Sequence, residues 1–271
     1  MDANVKRVLF VNSEIFPYLP ENRISTIGRY LPQGIQEHKK EIRSFMPRYG
    51  CINERKNQLH EVIRLSGMNI IISDVDRPLI IKVASNSSAR LQIYFNDNED
   101  YFKRKGLKGT EKELYADNDE RAIFFARGVM ETVKKLRWAP DIIHCQGWIS
   151  HLVPLYLKKA YKDDPIFASS KVVLSLYDEG PVQKFSPDFA SKVLFGAVAP
   201  EDLSPLDDSN GLAMNAIRYC DGVIIADGSV PAELTDACRK SGLPLLDYDP
   251  ALYEDKSYIE AYDKFYDSVQ K

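Results

Sequence analysis

The chain has 271 residues, of which 44% are hydrophobic and 28% are charged, with 36 Lys and Arg residues against 39 Asp and Glu residues. Apolar content at this length supports a large core. A formal charge of -3 gives no electrostatic basis for binding nucleic acid or an anionic membrane. No window approaches the roughly 20 apolar residues that span a bilayer, and the first residues enter a strand pattern without a signal peptide's apolar run. We therefore expect a cytoplasmic protein.

Short apolar runs recur along the chain, and a turn and a helical pattern follow each of them. The runs lie at residues 8–11, 41–46, 141–144, 172–176 and 223–226. This arrangement is typical of parallel strands that crossover helices cover on both faces. The predicted fold class is therefore α/β, with a single Rossmann-like, doubly wound and mostly parallel sheet.

The clearest helical pattern begins at Asn118, which is placed to cap a helix. Apolar side chains follow it at steps of three and four residues, at Ala122, Phe125, Val129, Val133 and Leu136. This spacing puts them on one helix face, which we expect to pack on the sheet. Shorter helices are predicted at residues 149–161, 212–220, 231–240 and 258–269.

Residues 60–95 depart from this pattern. The segment contains short β-prone runs at residues 62–65, 69–73, 79–83 and 91–95. Ser-Gly, Asp-Arg-Pro and Asn-Ser-Ser turns separate these runs, so we interpret the segment as an antiparallel β insertion. Because no low-complexity linker and no internal repeat marks a boundary, we treat residues 1–271 as a single domain.

The cysteines are scattered, and no two of them form a CxxC pair. They are Cys51, Cys145, Cys220 and Cys238. We expect free thiols and predict no metal site. His144 precedes Cys145 on a predicted strand, so the two side chains point to opposite faces, and we expect His144 to be packed in the core. The remaining histidines are expected to be surface or half-buried side chains, namely His38, His60 and His151.

Polar segments follow the predicted strands at their carboxyl ends, where open α/β sheets bind ligands. The candidate ligand-binding residues in these segments are Glu14, Gln146, Trp148, Tyr177, Asp178 and Glu179. Trp148 is placed either to stack on a sugar ring or to pack in the core. Asp178 and Glu179 are placed to bind sugar hydroxyls or to act as acid or base, unless they form a solvated turn.

The first of these segments, NSEIFPYLPENRIS, contains no glycine. A turn that cradles phosphate needs glycines because backbone N–H groups must approach the oxygens closely, and Pro17 and Pro20 remove two donors besides. We therefore expect no diphosphate-cradling loop here. Another segment, YFKRKGLKGTEK at residues 101–112, is rich in Lys and Arg. We interpret it as a solvated loop, with contact to phosphate or polysaccharide as the alternative.

Several segments together resemble one family. VLFVNSEIFPY and RSFMPRYG are similar to that family's opening strand and to the end of its second strand, and YADNDERAIFFARGVMETV is similar to its Y-x-DN-x-x-R-x-x-FF-x-R helix. Over roughly residues 5–235, the chain resembles the N-terminal half of bacterial glycogen and starch synthases. The resemblance implies one lobe of a GT-B glycosyltransferase. It also implies the family's activity, which is retaining glucose transfer from ADP-glucose to an α-1,4-glucan without a metal or another cofactor.

The resemblance further implies that parts of the family's site are missing. The family's phosphate-holding Lys-x-Gly-Gly-Leu aligns with PENRI at residues 20–24, so its lysine and glycines are absent here. Its Asp-Trp-His aligns with GWI at residues 147–149, and its His-Asn pair aligns with Tyr177 and Asp178. The family's second lobe supplies most nucleotide contacts and a catalytic glutamate. We expect that lobe to be absent from this chain.

The function stays open among alternatives of different classes. In the first, the chain is a non-catalytic relative of the synthases that binds an α-glucan, an ADP-sugar or a protein partner. In the second, it is a glucosyltransferase that a separate second-lobe protein or a homodimer completes. In the third, the fold acts on another small molecule, with Asp178 or Glu179 as the base. We favour the first, and whether the chain is an enzyme stays open.

Overall fold

The fold comes from a computed structural model that describes residues 5–86 and 91–271. The strands are β1 Arg7–Asn12, β2 Glu41–Pro47, β3 His60–Glu61, β4 Met68–Ile72, β5 Val75–Asn86, β6 Leu91–Asp97, β7 Ile142–Gln146, β8 Lys171–Leu176, β9 Gly222–Ile225 and β10 Leu245–Leu246. The α-helices are α1 Arg23–Glu37, α2 Glu99–Phe102, α3 Asn118–Leu136, α4 Val153–Lys159, α5 Phe189–Val193, α6 Ser209–Tyr219, α7 Ala232–Lys240, α8 Ala251–Glu254 and α9 Tyr258–Gln270. Short 3-10 helices lie at Trp148–Ser150 and Pro200–Asp202.

The strands form a mixed sheet in the order β10-β9-β8-β7-β1-β2-β6-β5-β3, and β4 pairs with β5 outside this order. Neighbouring strands from β10 to β6 are parallel. β5 runs antiparallel to β3, β4 and β6. The predicted α/β class, with a mostly parallel sheet and an antiparallel insertion, is confirmed.

One predicted strand of the insertion is wrong. Residues 62–65 form a turn after β3, in which the Leu65 N–H donates to the Val62 carbonyl at 2.8 Å. The turn buries Leu65 in the core and leaves Ile63 83% exposed. In a strand, these two side chains would point to the same face and would be buried or exposed together. The predicted Asn-Ser-Ser turn at residues 86–88 extends to positions outside the described residues.

The helices agree with the sequence in part. α3 confirms the clearest helical prediction, but the predicted cap is wrong, because Asn118 is the first helical residue and its side-chain amide donates to the Lys108 carbonyl and to Gln183 instead. The predicted helix at 149–161 is divided into a 3-10 turn and α4, because Pro154 lacks an N–H and suits the first turn of a new helix. α1 has no counterpart among the predicted helices. Its buried apolar face nevertheless follows helical spacing, at Ile24, Ile27, Leu31 and Ile35.

Both faces of the sheet are buried, each by its own apolar cluster. Along β1, Leu9 and Val11 belong to the larger cluster, which α3, α4 and α6 cover. Val8 and Phe10 belong to the smaller cluster, which α1 and α9 cover. Successive side chains of a strand point to opposite faces, so a strand covered on both faces is apolar throughout. This explains why the parallel strands are readable as continuous apolar runs.

The C-terminal helix α9 is part of the core. Its Tyr262 and Tyr266 are fully buried, and a Cβ on Gly34 of α1 would overlap the Ile259 side chain and force it to move. Lys40 Nζ lies 2.5 Å from Asp263 Oδ1 and ties α9 to the start of β2. α9 therefore covers one face of the sheet.

Two further features are the hydropathy of the helices and the state of the cysteines. No helix within the described residues is both long and apolar enough to cross a bilayer. The cysteines are free thiols, as predicted, with Cys51 exposed and Cys145, Cys220 and Cys238 buried.

Candidate functional site

The carboxyl ends of β1, β7, β8 and β9 border an open cleft with a cavity volume of about 490 Å³. This is the position at which open α/β sheets bind ligands. Among the candidate residues from the sequence, Glu14, Trp148, Asp178 and Glu179 line the cleft. The structure therefore brings together side chains that lie as far as 165 positions apart, on the loops after β1, β7 and β8.

Glu14 and Asn22 close one wall of the cleft at the first turn of α1. Asn22 caps the helix, since its Oδ1 accepts from the Ser25 N–H at 2.8 Å and its own N–H donates to Ser25 Oγ at 2.9 Å. The side-chain amide of Asn22 donates to Glu14 Oε2 at 2.6 Å. Burial raises the pKa of Glu14, the bond from Asn22 opposes this rise, and the Glu179 carboxylate adds to it. The chain's own side chains thus occupy this helix end.

Glu179 and Lys108 form the facing wall. Lys108 Nζ donates to the backbone carbonyl of Glu179 at 2.8 Å and lies 3.6 Å from Glu179 Oε2. Burial raises the pKa of Glu179, whereas Lys108 and the Trp148 backbone N–H act to lower it. Two carboxyl groups, from Glu14 and Glu179, therefore share the cleft with the Lys108 ammonium group. Such a set can donate hydrogen bonds to neutral hydroxyl groups and accept bonds from them.

Asp178 and Glu179 are neighbours in sequence but have different environments. Asp178 is exposed at the rim of the cleft, where its Oδ1 accepts from the Gly180 N–H at 3.0 Å. This is the solvated turn that the sequence left as an alternative. Glu179 has a desolvated carboxyl group, whose pKa burial raises.

Trp148 is packed into the base of the cleft and is only 4% exposed, with Lys108 Nζ 5.9 Å from its ring centroid. The preceding Gly147 has φ 85°, and a Cβ at this position would clash with Ser13 Oγ. Glycine avoids both the backbone strain and the clash. The chain can therefore turn directly from β7 into the Trp148 segment.

Gln146 and Tyr177 lie beneath the cleft. Gln146 is fully buried, and its Nε2 donates to Asn12 Oδ1 at 2.7 Å. The Tyr177 hydroxyl donates to Gln146 Oε1 at 2.7 Å. Burial raises the pKa of Tyr177 well above its ordinary value. These contacts join the ends of β1, β7 and β8 and support the base of the cleft, and Gln146 does not line the cavity.

A smaller cavity of about 50 Å³ adjoins the cleft and shares Lys108, Trp148, Asp178 and Glu179 with it. We call this cavity the inner chamber. His151 lines it and is 4% exposed, and neither ring nitrogen has a hydrogen-bond partner in the described part of the chain. Burial lowers the pKa of His151 to about 3, and Lys108 acts in the same direction. At roughly 10–15 Å³ per water, the chamber has room for a few waters or one small polar group.

The structure agrees with the sequence prediction for His144 and disagrees with it for His151. His144 is packed as predicted, with Nε2 2.6 Å from Ser175 Oγ and Nδ1 2.7 Å from the Tyr266 hydroxyl. Burial lowers the pKa of His144 to about 3. The prediction that His151 is a surface or half-buried side chain is wrong. It follows the 3-10 turn that starts at Trp148, and that turn carries its ring under the loops after β8.

Lys108 and Arg23 also line the cleft. The sequence placed Lys108 only within the basic segment, for which contact to phosphate or polysaccharide was the alternative, and it did not identify Arg23. The basic segment at residues 101–112 is partly held by ion pairs, such as that of Arg104 Nη2 with Asp117 Oδ2 at 2.5 Å. Lys108 lies in this segment, and its side chain lines the cleft. Arg23 stands at the mouth of the cleft, with Nε 3.5 Å from Asp227 Oδ2. The Asn22 cap is a local signal for the start of α1, and it would have placed Arg23 in the first turn of a helix that follows β1.

A metal is not indicated by the side chains. Within residues 5–86 and 91–271, no group of three or more His, Cys, Asp or Glu side chains is placed to hold a metal ion. What the cleft offers is a set of hydrogen-bonding groups beside an indole.

The sheet order and the position of the cleft define one Rossmann-like lobe of a GT-B glycosyltransferase fold. Residues 7–244 match the family described as the starch synthase catalytic domain, and the chain belongs to this family. It is 40% identical over 177 residues to a glycogen synthase from Chlorobium luteolum, covering 64% of this chain and 36% of that protein. It is 37% identical over 242 residues to a glycogen synthase from Chlorobaculum tepidum, covering 85% of this chain and 47% of that protein.

The fold is also that of a solved relative. The catalytic domain of starch synthase IV from Arabidopsis thaliana, bound to ADP and acarbose, matches with a TM-score of 0.70 and 15% identity. The match covers 90% of this chain and 51% of that one. The chain thus spans about half the length, or less, of the relatives that it matches.

Proposed function

We propose that the chain binds a neutral sugar chain, an α-1,4-glucan or a maltooligosaccharide, in the cleft. We further propose that the chain does not transfer glucose from ADP-glucose by itself. The observation that carries both proposals lies at the first turn of α1. There Asn22 caps the helix, and its side-chain amide donates to the Glu14 carboxylate at 2.6 Å. A helix end binds phosphate through free N–H groups and its positive dipole. A carboxylate at that end repels a second anion.

The chemistry of the cleft supports a polyhydroxyl ligand. A sugar hydroxyl is a donor and an acceptor at once, and the carboxyl groups of Glu14 and Glu179 beside the Lys108 ammonium group complement both roles. A neutral His151 offers one donor and one acceptor in the inner chamber. The cavity volume of about 490 Å³ lies in the range of small-molecule sites.

The charges argue against a diphosphate in the same cleft. Each basic side chain there already has an acidic partner, since Lys108 lies 3.6 Å from Glu179 Oε2 and Arg23 lies 3.5 Å from Asp227 Oδ2. A diphosphate would have to displace these carboxylates or remain close to them, and like charges at short range oppose binding. A neutral glucan meets no such repulsion.

The residues at the family's motif positions support the absence of transfer. The resemblance aligns the family's histidines with Ile149, which is fully buried, and with Tyr177, whose hydroxyl donates to Gln146. Neither position presents an imidazole to the cleft. Glycosyl transfer requires preorganised groups around the reacting sugar, and substitution of such groups lowers the rate steeply.

A second candidate is a glucosyltransferase that a separate second-lobe protein or a second copy of the chain completes. The match to 51% of the starch synthase IV chain, which is bound to ADP and acarbose, favours it. In either case we propose a cytoplasmic location, which the free thiols support because the cytosol keeps thiols reduced.

The glucan proposal is tested by titrating the full chain with maltoheptaose and comparing two lysine variants. Lys108→Gln removes the ammonium group from the cleft wall, and we expect about tenfold weaker binding because hydrogen bonds to charged groups contribute roughly 1.5–3 kcal/mol. Lys105→Gln is the matched control, since Lys105 is exposed in the same loop and does not line the cleft. Equal affinities for the two variants would place the glucan outside the cleft.

The transfer proposal is tested with radiolabelled ADP-glucose and glycogen. We expect the chain alone to incorporate no label above a protein-free blank. Incorporation that appears only upon mixing with a candidate second-lobe protein would instead support the second candidate. Incorporation by the chain alone would contradict the proposal.

A further inference from the structure

Tyr49 lines the cleft, and the proposed function assigns it no role. The residue follows the end of β2 in the segment MPRYG. Because β2 runs parallel to β1, its carboxyl end lies at the same edge of the sheet, and Tyr49 meets Glu14 and Glu179 in the lining of the cleft. A phenol group thus stands in the cleft beside two carboxyl groups.

The Tyr49 side chain is only 1% exposed, and this small exposed part lies in the cleft. Within residues 5–86 and 91–271, its hydroxyl forms no hydrogen bond. The unpaired side-chain oxygens that are closed off from solvent do not include this one. The hydroxyl oxygen therefore keeps accessible surface and faces the cleft. Native structures usually satisfy such a polar group, and the cleft is the side from which a partner can approach it.

The ring of Tyr49 is held in place by its neighbours. It packs edge-on against Phe102, with ring centroids 5.9 Å apart, and the guanidinium carbon of the buried Arg121 lies 5.9 Å from its centroid. The Gly50 N–H donates to the Arg104 carbonyl at 2.9 Å and fixes the backbone after Tyr49. A hydroxyl on a ring fixed in this way can bind a ligand with little further loss of side-chain freedom.

Two carboxylates act on the Tyr49 hydroxyl. Burial raises the pKa of Tyr49, and the Glu14 and Glu179 carboxylates raise it further, whereas Arg121 acts to lower it. The phenol therefore keeps its proton at neutral pH. A protonated hydroxyl can donate a hydrogen bond, which an ionised carboxylate cannot do.

Other donors beside these carboxylates already serve acceptors within the chain. The Asn22 side-chain amide donates to Glu14 Oε2. Lys108 uses one N–H for the Glu179 carbonyl. A sugar hydroxyl that donates to a carboxylate can accept a bond at its own oxygen, and the Tyr49 hydroxyl offers a donor for it. A site that pairs with a ligand hydroxyl in this way rejects an analogue that lacks it.

We propose that Tyr49 is a specificity-determining residue of the cleft. Its hydroxyl donates a hydrogen bond to one hydroxyl group of a glucosyl unit, and that unit lies between the Glu14 and Glu179 carboxyl groups. This inference rests on the proposed binding of an α-glucan in the cleft. It makes recognition depend on a particular sugar hydroxyl, so the cleft distinguishes a glucosyl unit from a deoxy sugar of the same shape.

The first test is calorimetric titration of the full Tyr49→Phe chain with maltoheptaose. Phenylalanine keeps the ring and its contact with Phe102, and it removes only the hydroxyl. We expect about fivefold weaker binding, the usual effect of one hydrogen bond between uncharged groups. The midpoint of thermal unfolding should not fall, because the hydroxyl has no partner in the described part of the chain. Tyr30→Phe is the matched control, since Tyr30 lies on α1 outside the cleft, and it should leave binding unchanged.

A second titration identifies the sugar hydroxyl. The ligands are methyl α-maltoside and its monodeoxy analogues, each of which lacks a different hydroxyl group. We expect Tyr49→Phe to weaken the binding of methyl α-maltoside and of every analogue except one, for which the two chains bind equally. The same loss for every analogue would show that the hydroxyl acts through the protein rather than on the sugar, and it would overturn the inference.

The outcomes separate the role of Tyr49 from the proposed function. No binding of maltoheptaose by the unsubstituted chain would overturn both. Binding that Lys108→Gln weakens and Tyr49→Phe leaves unchanged would overturn the role of Tyr49 alone. A lower unfolding midpoint in Tyr49→Phe, together with unchanged binding, would assign the hydroxyl to folding and would likewise overturn the inference.

Discussion

The Asn22 side-chain amide donates a hydrogen bond to the Glu14 carboxylate across 2.6 Å, and Asn22 caps α1 at the same time. Asn22 lies in the segment PENRI that, in the resemblance, corresponds to the family's phosphate-holding motif, and Glu14 lies at the start of the same β1–α1 loop. A helix end that could attract an anion is thereby supplied with a carboxylate from within the chain. The character of the cleft follows from this pairing, since it favours neutral ligands over charged ones.

The capping role of Asn22 has a measurable effect on stability. Asn22→Ala should lower the free energy of unfolding by about 1 kcal/mol, because the first turn of α1 loses its side-chain acceptor. Asn22→Ser keeps a capping oxygen and loses the amide that contacts Glu14, so it should cost less. Urea unfolding of the two variants decides the point. Equal losses would show that the cap contributes nothing beyond the bond to Glu14.

The glycine before Trp148 is required by two separate effects. Gly147→Asp should lower the free energy of unfolding by about 2 kcal/mol or more, since its φ of 85° and ψ of 158° lie in a region that essentially only glycine adopts, at a cost of roughly 1–3 kcal/mol for other residues, and the new Cβ also clashes with Ser13 Oγ. Gly180→Asp is the matched control. Gly180 has φ 81° and open space around its Cβ position, so that variant carries the backbone cost alone. Thermal unfolding with similar losses in both variants would contradict the predicted clash.

The parallel part of the fold is predictable from the sequence, and the reasons are physical. Strands buried on both faces read as continuous apolar runs, and the regular spacing after Asn118 identifies α3. The sequence does not predict α1 because Pro17 and Pro20 indicate a loop and Pro32 interrupts the helical pattern. The sequence does not predict the turn at residues 62–65, because a short apolar run does not show which of its side chains will be buried in the core.

The candidate site is predictable only in part. Glu14, Trp148 and Glu179 can be placed at strand ends because topology alone brings those ends to one edge. Lys108 and His151 depend on how loops fold across that edge, and nothing local in the sequence distinguishes Lys108 from its basic neighbours. Side-chain contacts between distant segments decide which of several polar groups becomes buried.

The raised pKa of Glu179 makes a prediction about pH. Burial raises its pKa above the ordinary value of 4.5, so between that value and the folded-state pKa the folded protein binds more protons than the unfolded chain. Ionisation of the buried Glu179 carboxyl group therefore lowers the free energy of unfolding, and this loss grows as pH rises through the window. Glu179→Gln removes the penalty. Relative to the unsubstituted chain, the variant should gain stability from pH 4.5 towards neutrality, and a gap in unfolding free energy that does not change with pH would contradict this.

His151 should stay neutral across the physiological range. Burial lowers its pKa to about 3 from the ordinary 6.5, so the unfolded chain gains protons first as pH falls, and stability contributed by the neutral ring is lost between these values. In NMR spectra, the ring C–H resonance that disappears in His151→Asn should not shift between pH 5 and 8. His151→Asn should also make the acid loss of stability shallower. A resonance that titrates near pH 6.5 would show that the ring is exposed to water.

The central claim is that the cleft selects a neutral glucan over a sugar nucleotide, and it is tested most directly by calorimetric titration of one sample with maltoheptaose and with ADP-glucose. The unsubstituted full chain is the sample to use, and the Lys108→Gln chain is the comparison. We expect saturable binding of maltoheptaose that Lys108→Gln weakens, and no saturable binding of ADP-glucose in the same concentration range. Tight binding of ADP-glucose that Lys108→Gln abolishes, together with no response to maltoheptaose, would contradict the account.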